Sequence, residues 1–296
     1  MATILERLAG APISWGVCEV PDWGAQLGVD RVLSEMRELG LEATEAGPVG
    51  YLGDDAADVV SVLARHDLRL VGGFVPVVLH DSGQKESIAA AARSAELFEA
   101  AGARFLVSAV VIDAGWSPPR RLDRSEWKRV FEGFARLDEI ALEHGLRHVV
   151  HPHWGTLVEQ RDDVNRVVEE SEALLCLDTG HLALGGTDPA VLAREASERI
   201  AHVHLKDISD EIAEHLRAGT LDYVPAIRLG VFRLLGTGAA RVAATVEALE
   251  ASGYEGWYVL EQDLSLTSDD IGPGSGPIED VGRSIDFLRG LTSAQG

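Results

Sequence analysis

The feature that most constrains this chain is the regular alternation of short apolar segments with amphipathic helices along its 296 residues. Parallel sheets with helical crossovers have this pattern, because a helix that covers the sheet must link each buried strand to the next. The clearest helix has Trp127, Val130, Phe134 and Ile140 on one face, with Ser125 as its predicted N-cap and a glycine, Gly145, as its terminator. The chain is therefore predicted to be an α/β protein.

The number of strand–helix units selects the architecture. The predicted strands are residues 11–14, 41–46, 69–74, 104–108, 148–151, 174–178, 200–204 and 257–261. Eight units without a Pro/Ser-rich linker predict a single (β/α)₈ TIM barrel domain over residues 1–296, with a doubly wound open sheet as the alternative. The connection over residues 207–240 is unusually long, and barrels place such insertions at the catalytic mouth, so we expect it to cover the site.

Charge and composition limit the classes of partner that we expect the protein to bind. The net charge of −22 disfavours binding to nucleic acid and to anionic membranes. No apolar run approaches the roughly 20 residues that span a bilayer, and residues 1–10 do not resemble a secretory signal. With only Cys18 and Cys176, a disulfide framework is not expected. We therefore expect a cytoplasmic protein with a small-molecule substrate, and we allow for a homodimer because barrels of this type often dimerise.

Polar side chains end four consecutive predicted strands, namely His151, Asp178, His204 and Glu261. The carboxyl ends of barrel strands converge on one cavity, so these residues are expected to meet there. Imidazole and carboxylate together suit Mn²⁺, Co²⁺, Fe²⁺ or Zn²⁺. Each residue alone has an ordinary structural explanation, but their joint occurrence indicates a metal site.

Strand alternation places further polar residues near this site. His153 shares a face with His151, which leaves open which of the two is the fifth-strand ligand. Lys206 and His202 share a face with His204. His202 lies one layer deeper, which favours a structural role. His148 starts its strand and is expected to lie away from the mouth.

Several segments resemble one known family. They are Leu-Asp-Thr-Gly-His at 177–181, Gly-Gly-Thr-Asp-Pro at 185–189, Ile-Ala-His-Val-His-Leu-Lys-Asp at 200–207, Gly-Tyr-Glu-Gly-Trp at 253–257, His-Pro-His-Trp-Gly-Thr at 151–156, Ala-Pro-Ile at 11–13 followed by Trp15, and Thr-Glu at 44–45 followed by Gly47. These segments cover nearly the whole chain and, in their order along it, resemble those of the inosose dehydratases. That family belongs to the xylose-isomerase-like barrel superfamily.

That resemblance implies a divalent metal, most often Mn²⁺ or Co²⁺ with Zn²⁺, Fe²⁺ or Mg²⁺ as alternatives. It also implies loss of water from a keto-inositol in inositol catabolism. Carried over by motif, the metal ligands are His151, Asp178, His204 and Glu261. The substrate residues are Trp15, Glu45, His153, His181 and Lys206. Pro152 interrupts the histidine-rich motif of the fifth strand, and the acidic residue of the family after the fourth strand is absent.

The expected reaction is that of a carbon–oxygen lyase. The metal polarises a ketone and stabilises an enolate, and the β-hydroxyl then leaves as water. Glu261, His153, His181 and Lys206 are the candidate catalytic residues, and the sequence leaves their roles as base and acid open. A sugar isomerase or epimerase acting on a free ketose is the main alternative, and a nuclease or non-catalytic sugar binder is the third reading. The carboxylate pair of related epimerases is broken by His151, which favours elimination.

Overall fold

The computed structural model describes residues 3–20, 22–267 and 271–293. Its main sheet is parallel and nine-stranded, in the order β3-β2-β1-β11-β8-β7-β6-β5-β4. The strands of this sheet are β1 Leu8–Gly10, β2 Ala43–Thr44, β3 Arg69–Leu70, β4 Gly72–Val77, β5 Phe105–Val110, β6 Arg147–Val150, β7 Leu175–Asp178, β8 Ile200–Leu205 and β11 Tyr258–Leu260. The two ends of the order, β3 and β4, are consecutive segments separated only by Val71, so the ring of strands closes. The predicted (β/α)₈ barrel is confirmed, and the open-sheet alternative is wrong.

Helices lie between the strands and cover the ring. They are α1 Val29–Glu38, α2 Ala56–Arg65, α3 Gln84–Ala100, α4 Arg124–Glu143, α5 Arg161–Glu170, α6 Thr179–Leu184, α7 Pro189–Glu195, α8 Asp210–Arg217, α9 Tyr223–Arg228, α10 Val242–Ala251 and α11 Pro277–Ser293. Among the described residues, none of these helices is both long and apolar enough to cross a membrane.

Local predictions failed at three places. Residues 11–14 are not the first strand, because Pro12 has a fixed φ and opens a 3₁₀ helix, Pro12–Trp15, immediately after β1. The N-cap of α4 is Asp123 and not Ser125, since the Asp123 carboxylate accepts from the backbone N–H groups of Ser125 and Glu126. The short helices α6 and α9 were not predicted, because six residues carry too little helical periodicity to recognise.

Two buried layers pack against the two faces of the ring. Apart from Phe105, the residues inside it are small or of medium size: Ala9, Ala43, Val71, Val107, Val149, Cys176, Ala201 and Val259. The alternate positions, such as Leu106 and Val150, belong to the larger core between the strands and the helices. Because side chains alternate along a strand, the interior residues fix which positions beyond the strand ends face the mouth.

The long connection after β8, residues 207–240, folds into the helices α8 and α9 and a second, two-stranded sheet. In that sheet β9 Asp207–Ile208 pairs antiparallel with β10 Phe232–Arg233. The side chain of Asp207 holds the last part of this connection, residues 236–240, against the end of β8. One carboxylate oxygen accepts 2.9 Å hydrogen bonds from the N–H groups of Gly236 and Gly238, and the other accepts from that of Ala240. A Cβ on Gly238 would lie 2.3 Å from the carbonyl oxygen of Ile208, so this close approach requires glycine.

Candidate functional site

Strand alternation carries polar residues from the barrel interior to its mouth. Interior Val149 is followed at alternate positions by His151 and His153. Interior Val259 is followed in the same way by Glu261 and Asp263. Cys176 leads to Asp178 on β7, and β8 continues from His202 through His204 to Lys206. Since all these strands are parallel, their polar ends meet at one place.

Asp178 uses its two carboxylate oxygens differently. It is the last residue of β7 and also the N-cap of α6, in which role Oδ1 accepts a 2.8 Å hydrogen bond from the His181 N–H. Oδ2 is buried and has no hydrogen-bond partner among the described residues. A buried carboxylate oxygen without a hydrogen bond is costly, so the geometry makes Oδ2 a suitable ligand atom for a cation.

Two histidines and a glutamate face the same point. Asp178 Oδ2 lies 3.4 Å from His151 Nε2 and 3.8 Å from His204 Nδ1, and the latter nitrogen lies 3.1 Å from Glu261 Oε2. His151 Nε2 and His204 Nδ1 are buried and, within the described part of the chain, form no hydrogen bond. Three buried atoms without a hydrogen-bond partner in the described ranges, one each from Asp178, His151 and His204, therefore lie close together beside the Glu261 carboxylate.

This donor set fits a divalent metal ion. One ligand atom each from Asp178, His204 and Glu261 lies within 4.8 Å of the others, and His151 borders the group through Asp178. Two imidazole nitrogens and two carboxylate oxygens suit Mn²⁺, Co²⁺, Fe²⁺ or Zn²⁺. Cys176 also lies near His151 and His204, but burial raises the pKa of its thiol to about 11, which disfavours the thiolate as a ligand.

Lys206 places an ammonium group among the carboxylates. Its Nζ lies 2.7 Å from Asp263 Oδ1, 3.0 Å from Glu261 Oε2 and 3.4 Å from Asp178 Oδ2. Burial alone would lower the pKa of this amine, but the three negative charges raise it well above its usual range. Gly180 leaves room for the lysine stem, since a Cβ there would lie 2.8 Å from Lys206 Cβ.

His153 and His181 stack on each other with ring centroids 3.7 Å apart. His153 lines the cavity at the mouth, and burial lowers the pKa of its imidazole to about 3. His181 is buried behind it and, for the residues described, is not part of the cavity wall. His181 Nε2 lies 3.0 Å from Lys206 Nζ, and its Nδ1 accepts a 3.3 Å hydrogen bond from the Trp154 N–H, so His181 acts on the cavity through the residues that line it.

The cavity above these residues has a volume of about 820 Å³. His151, His204, Lys206, Glu261 and Asp263 form its base. Its walls are largely aromatic, and they are formed by Trp23, Phe74, Trp116, Trp154 and Tyr223. Tyr223 belongs to α9, and its hydroxyl donates a 2.8 Å hydrogen bond to Asp263 Oδ2. The long connection therefore contributes a wall of this cavity and contacts its polar base.

Three of the histidines and carboxylates considered from the sequence lie outside the cavity base. Glu45 lines the cavity, but its carboxylate contacts His202 and His204. His202 is fully buried below them, in keeping with its expected structural role. His148 is also buried, and it bonds with Ser108 and with Asp138 on α4.

Trp15, expected from the resemblance to contact substrate, points elsewhere. Its indole is fully buried, donates a 2.7 Å hydrogen bond to Glu35 on α1, and is not part of the cavity wall in the described residues. The cause is the 3₁₀ helix Pro12–Trp15, which turns the chain outward after β1. Ile13, two residues earlier, lines the cavity instead.

Sequence reasoning missed Asp263 and the aromatic walls. Asp263 follows Glu261 by two residues, so the same alternation that selected Glu261 could have found it. Phe74 lies in β4, where its neighbours are apolar, and nothing in the sequence marks it as a wall residue. Trp116 and Tyr223 lie outside the strands of the ring, where periodicity gives no orientation.

Comparisons with known proteins place this geometry in a family. The profile described as xylose isomerase-like TIM barrel matches residues 33–291. An inosose dehydratase from Geobacillus kaustophilus is 33% identical over 273 residues, which cover 87% of each chain. The rhizopine catabolism protein MocC from Rhizobium meliloti is 31% identical over 87% of this chain and 81% of its own.

Solved structures share the fold. L-ribulose 3-epimerase superposes with a TM-score of 0.70 at 17% identity, over 98% of this chain and 95% of the other. The IOLI protein with a bound zinc atom gives a TM-score of 0.70 at 15% identity, over 97% and 98% of the two chains. Together with the profile match and the closed barrel, these relatives show that the chain belongs to the xylose isomerase-like TIM barrel family.

Proposed function

We propose that this protein is a divalent-metal-dependent dehydratase, a carbon–oxygen lyase acting on a keto-inositol or a related keto-sugar. The observation that carries the proposal is the convergence of the unpartnered buried atoms His151 Nε2, Asp178 Oδ2 and His204 Nδ1 beside the Lys206 ammonium. A cation site next to a proton donor is what the elimination of water beside a ketone requires. The inosose dehydratases among its relatives support the same reaction.

The ligands in this proposal are His151, Asp178, His204 and Glu261, with Mn²⁺ or Co²⁺ as the ion. A divalent ion held there supplies a Lewis acid that polarises the substrate ketone. After β6, His151 is the ligand in preference to His153, because His151 Nε2 faces Asp178 and His153 Nδ1 is engaged with the Trp154 carbonyl.

His153 is placed to remove the proton from the carbon beside the ketone. Its Nδ1 lies 2.7 Å from the carbonyl oxygen of Trp154, a contact that requires the hydrogen on Nδ1. The lone pair of the neutral imidazole is then on Nε2, on a ring that lines the cavity. In this scheme Nε2 takes the proton, the electron pair of the C–H bond forms the carbon–carbon double bond, and the β-hydroxyl departs.

Lys206 is placed to protonate the departing hydroxyl. Its Nζ belongs to the cavity base, and Asp263, Glu261 and Asp178 hold it there. One proton passes from Nζ to the leaving oxygen, which departs as water; the proton taken by His153 returns to solvent, and Lys206 regains a proton from solvent. His181 contacts both groups, so we assign it a positioning role and not a direct one.

The aromatic walls suit a ring-shaped substrate. Phe74, Trp116 and Trp154 present flat apolar surfaces on which the C–H face of a cyclitol or sugar ring packs, while its oxygens face the polar base. A second candidate function, an isomerase or epimerase acting on a free ketose, is supported by the presence of two proton-accepting groups, Glu261 and His153, in the same cavity. That reaction would return a proton to carbon without losing water.

The test is a direct assay with scyllo-inosose. Mn²⁺-loaded protein should produce the ultraviolet absorbance of a conjugated or dicarbonyl product, and Asp178→Asn should not. Asp162→Asn, an exposed aspartate at the start of α5, is the matched control and should keep full activity. No absorbance change with inosose, together with conversion of free ketohexoses, would refute the dehydratase and support the isomerase.

A further inference from the structure

One buried carboxylate contacts two histidines of the same strand. Glu45 Oε1 accepts hydrogen bonds from His202 Nε2 at 2.6 Å and from His204 Nε2 at 3.0 Å. All three side chains are almost completely buried, with at most 4% of each exposed. Glu45 comes from the end of β2, which is separated from β8 by the two strands β1 and β11 in the strand order. The three residues therefore form a bridge across the barrel interior.

The bridge determines which nitrogen of His204 is available for a ligand. Because Glu45 accepts at Nε2, the hydrogen of a neutral His204 ring lies on Nε2, and the lone pair lies on Nδ1. Nδ1 is the atom that faces Glu261 Oε2 at 3.1 Å and Asp178 Oδ2 at 3.8 Å. Metal-binding histidines commonly donate their other N–H to a carboxylate, which fixes the ring and its tautomer.

Glu45 is itself held in place. Its backbone N–H donates a 2.9 Å hydrogen bond to the Gly10 carbonyl on β1. The His202 ring bonds to the carboxylate and stacks on Phe105 of β5 with centroids 4.6 Å apart. His202 thus keeps the Glu45 carboxylate at a fixed position below His204.

We propose that Glu45 is a positioning residue that orients His204 toward the divalent ion, with His202 anchoring its carboxylate. This inference rests on the proposed metal centre, and it replaces the substrate-binding role that the sequence resemblance implied for Glu45. A rival reading makes Glu45, His202 and His204 a second cation site, since their ligand atoms cluster. The 2.6 Å contact disfavours it, because two ligands of an ion with bonds of about 2.1 Å are roughly 3 Å apart or more.

The experiment measures metal binding without catalysis. Apo protein is titrated with Mn²⁺ by isothermal calorimetry for the wild type, Glu45→Gln, Glu45→Ala and the control Glu42→Gln. Glu42 lies just before β2 and pairs with Arg69 at the surface, so it tests the same substitution away from the site. The Glu45 variants should raise the Kd for Mn²⁺ about 10- to 100-fold, and Glu42→Gln should not change it.

A second readout reports ligand geometry. The visible spectrum of the Co²⁺ form depends on how the ligands are arranged, so Glu45→Gln should change it while the circular dichroism of the apo protein stays the same. Glu45→Gln has nearly the same shape as the wild-type residue, which keeps the test meaningful if Glu45→Ala fails to fold.

Three results would overturn the inference. An unchanged Kd in both Glu45 variants would show that His204 needs no such partner. Two ions per wild-type chain and one in Glu45→Gln would make Glu45 a ligand. An unchanged Kd with a raised KM for substrate would make it a substrate residue. Absence of Mn²⁺ binding by the wild type would instead refute the metal centre and with it the proposed function.

Discussion

Replacing Lys206 by methionine should destabilise the apo protein strongly. The substitution keeps most of the buried stem but removes an ammonium that lies 2.7 Å from Asp263, 3.0 Å from Glu261 and 3.4 Å from Asp178. All four side chains are less than a tenth exposed, so water cannot replace the lost charge. Removing one partner of a buried ion pair costs about 3–5 kcal/mol.

That free energy translates into a large shift in melting temperature. For chains approaching this size, 1 kcal/mol corresponds to about 2–4 °C, so the apo variant should melt about 6–20 °C below the wild type. A divalent ion should close part of this gap, because it supplies positive charge to Asp178 and Glu261. At a hundredfold excess over its Kd, a bound ligand adds about 2.7 kcal/mol of stability.

The assay is differential scanning fluorimetry in EDTA and in Mn²⁺. The control is Lys128→Met, a lysine whose side chain is 77% exposed and 3.7 Å from Glu132, for which the melting temperature should hardly change. An apo Lys206→Met protein that melts within 2 °C of the wild type, against the estimate of about 6–20 °C, would refute the reasoning. So would a Mn²⁺-induced increase no larger than that of the wild type.

Four further substitutions test other parts of the structure. Asp178→Ala and Glu261→Ala should each abolish metal retention, and full metal content by elemental analysis in either variant would contradict the proposed coordination. Tyr223→Phe removes the hydrogen bond to Asp263 and should cost about 1 kcal/mol in urea denaturation while raising KM in steady-state kinetics. Asp123→Ala removes the N-cap of α4 and should also cost about 1 kcal/mol in denaturation, but with no change in kcat/KM; a drop in activity there would mean that α4 affects the site.

Much of the candidate site could be predicted because parallel strands impose a simple rule. One polar residue at the end of an apolar strand has an ordinary structural explanation, but several on neighbouring strands are informative because the closed ring brings all such ends together. Asp178, His204 and Glu261 follow directly from this rule, and the structure places their ligand atoms within 4.8 Å of one another. The eight strand–helix units could be predicted for the same reason, and the ninth strand of the main sheet arises because Val71 divides one predicted strand, residues 69–74, into β3 and β4.

The failures have a different physical origin. The position of the first strand depends on the ladder between Leu8–Gly10 and β11, which are about 250 residues apart, and no local pattern reports it. Trp15 was assigned by motif, but its orientation depends on the 3₁₀ helix that begins at Pro12. The partners of Glu45 depend on contacts across the ring, which a single sequence does not contain.

The hydrogen bonds of the Asp207 carboxylate have a consequence for which parts of this fold can differ between proteins. A single carboxylate joins the end of β8 to the turn at Gly236 and Gly238, and the β9–β10 pair links the two ends of the same segment. Helices α8 and α9 between these points therefore form a module whose two ends are tied together. Apart from Tyr223, whose hydroxyl contacts Asp263, we expect the residues and length of this module to tolerate exchange, because Asp207 holds the end of β8 and Lys206 in place while the shape of the cavity entrance changes.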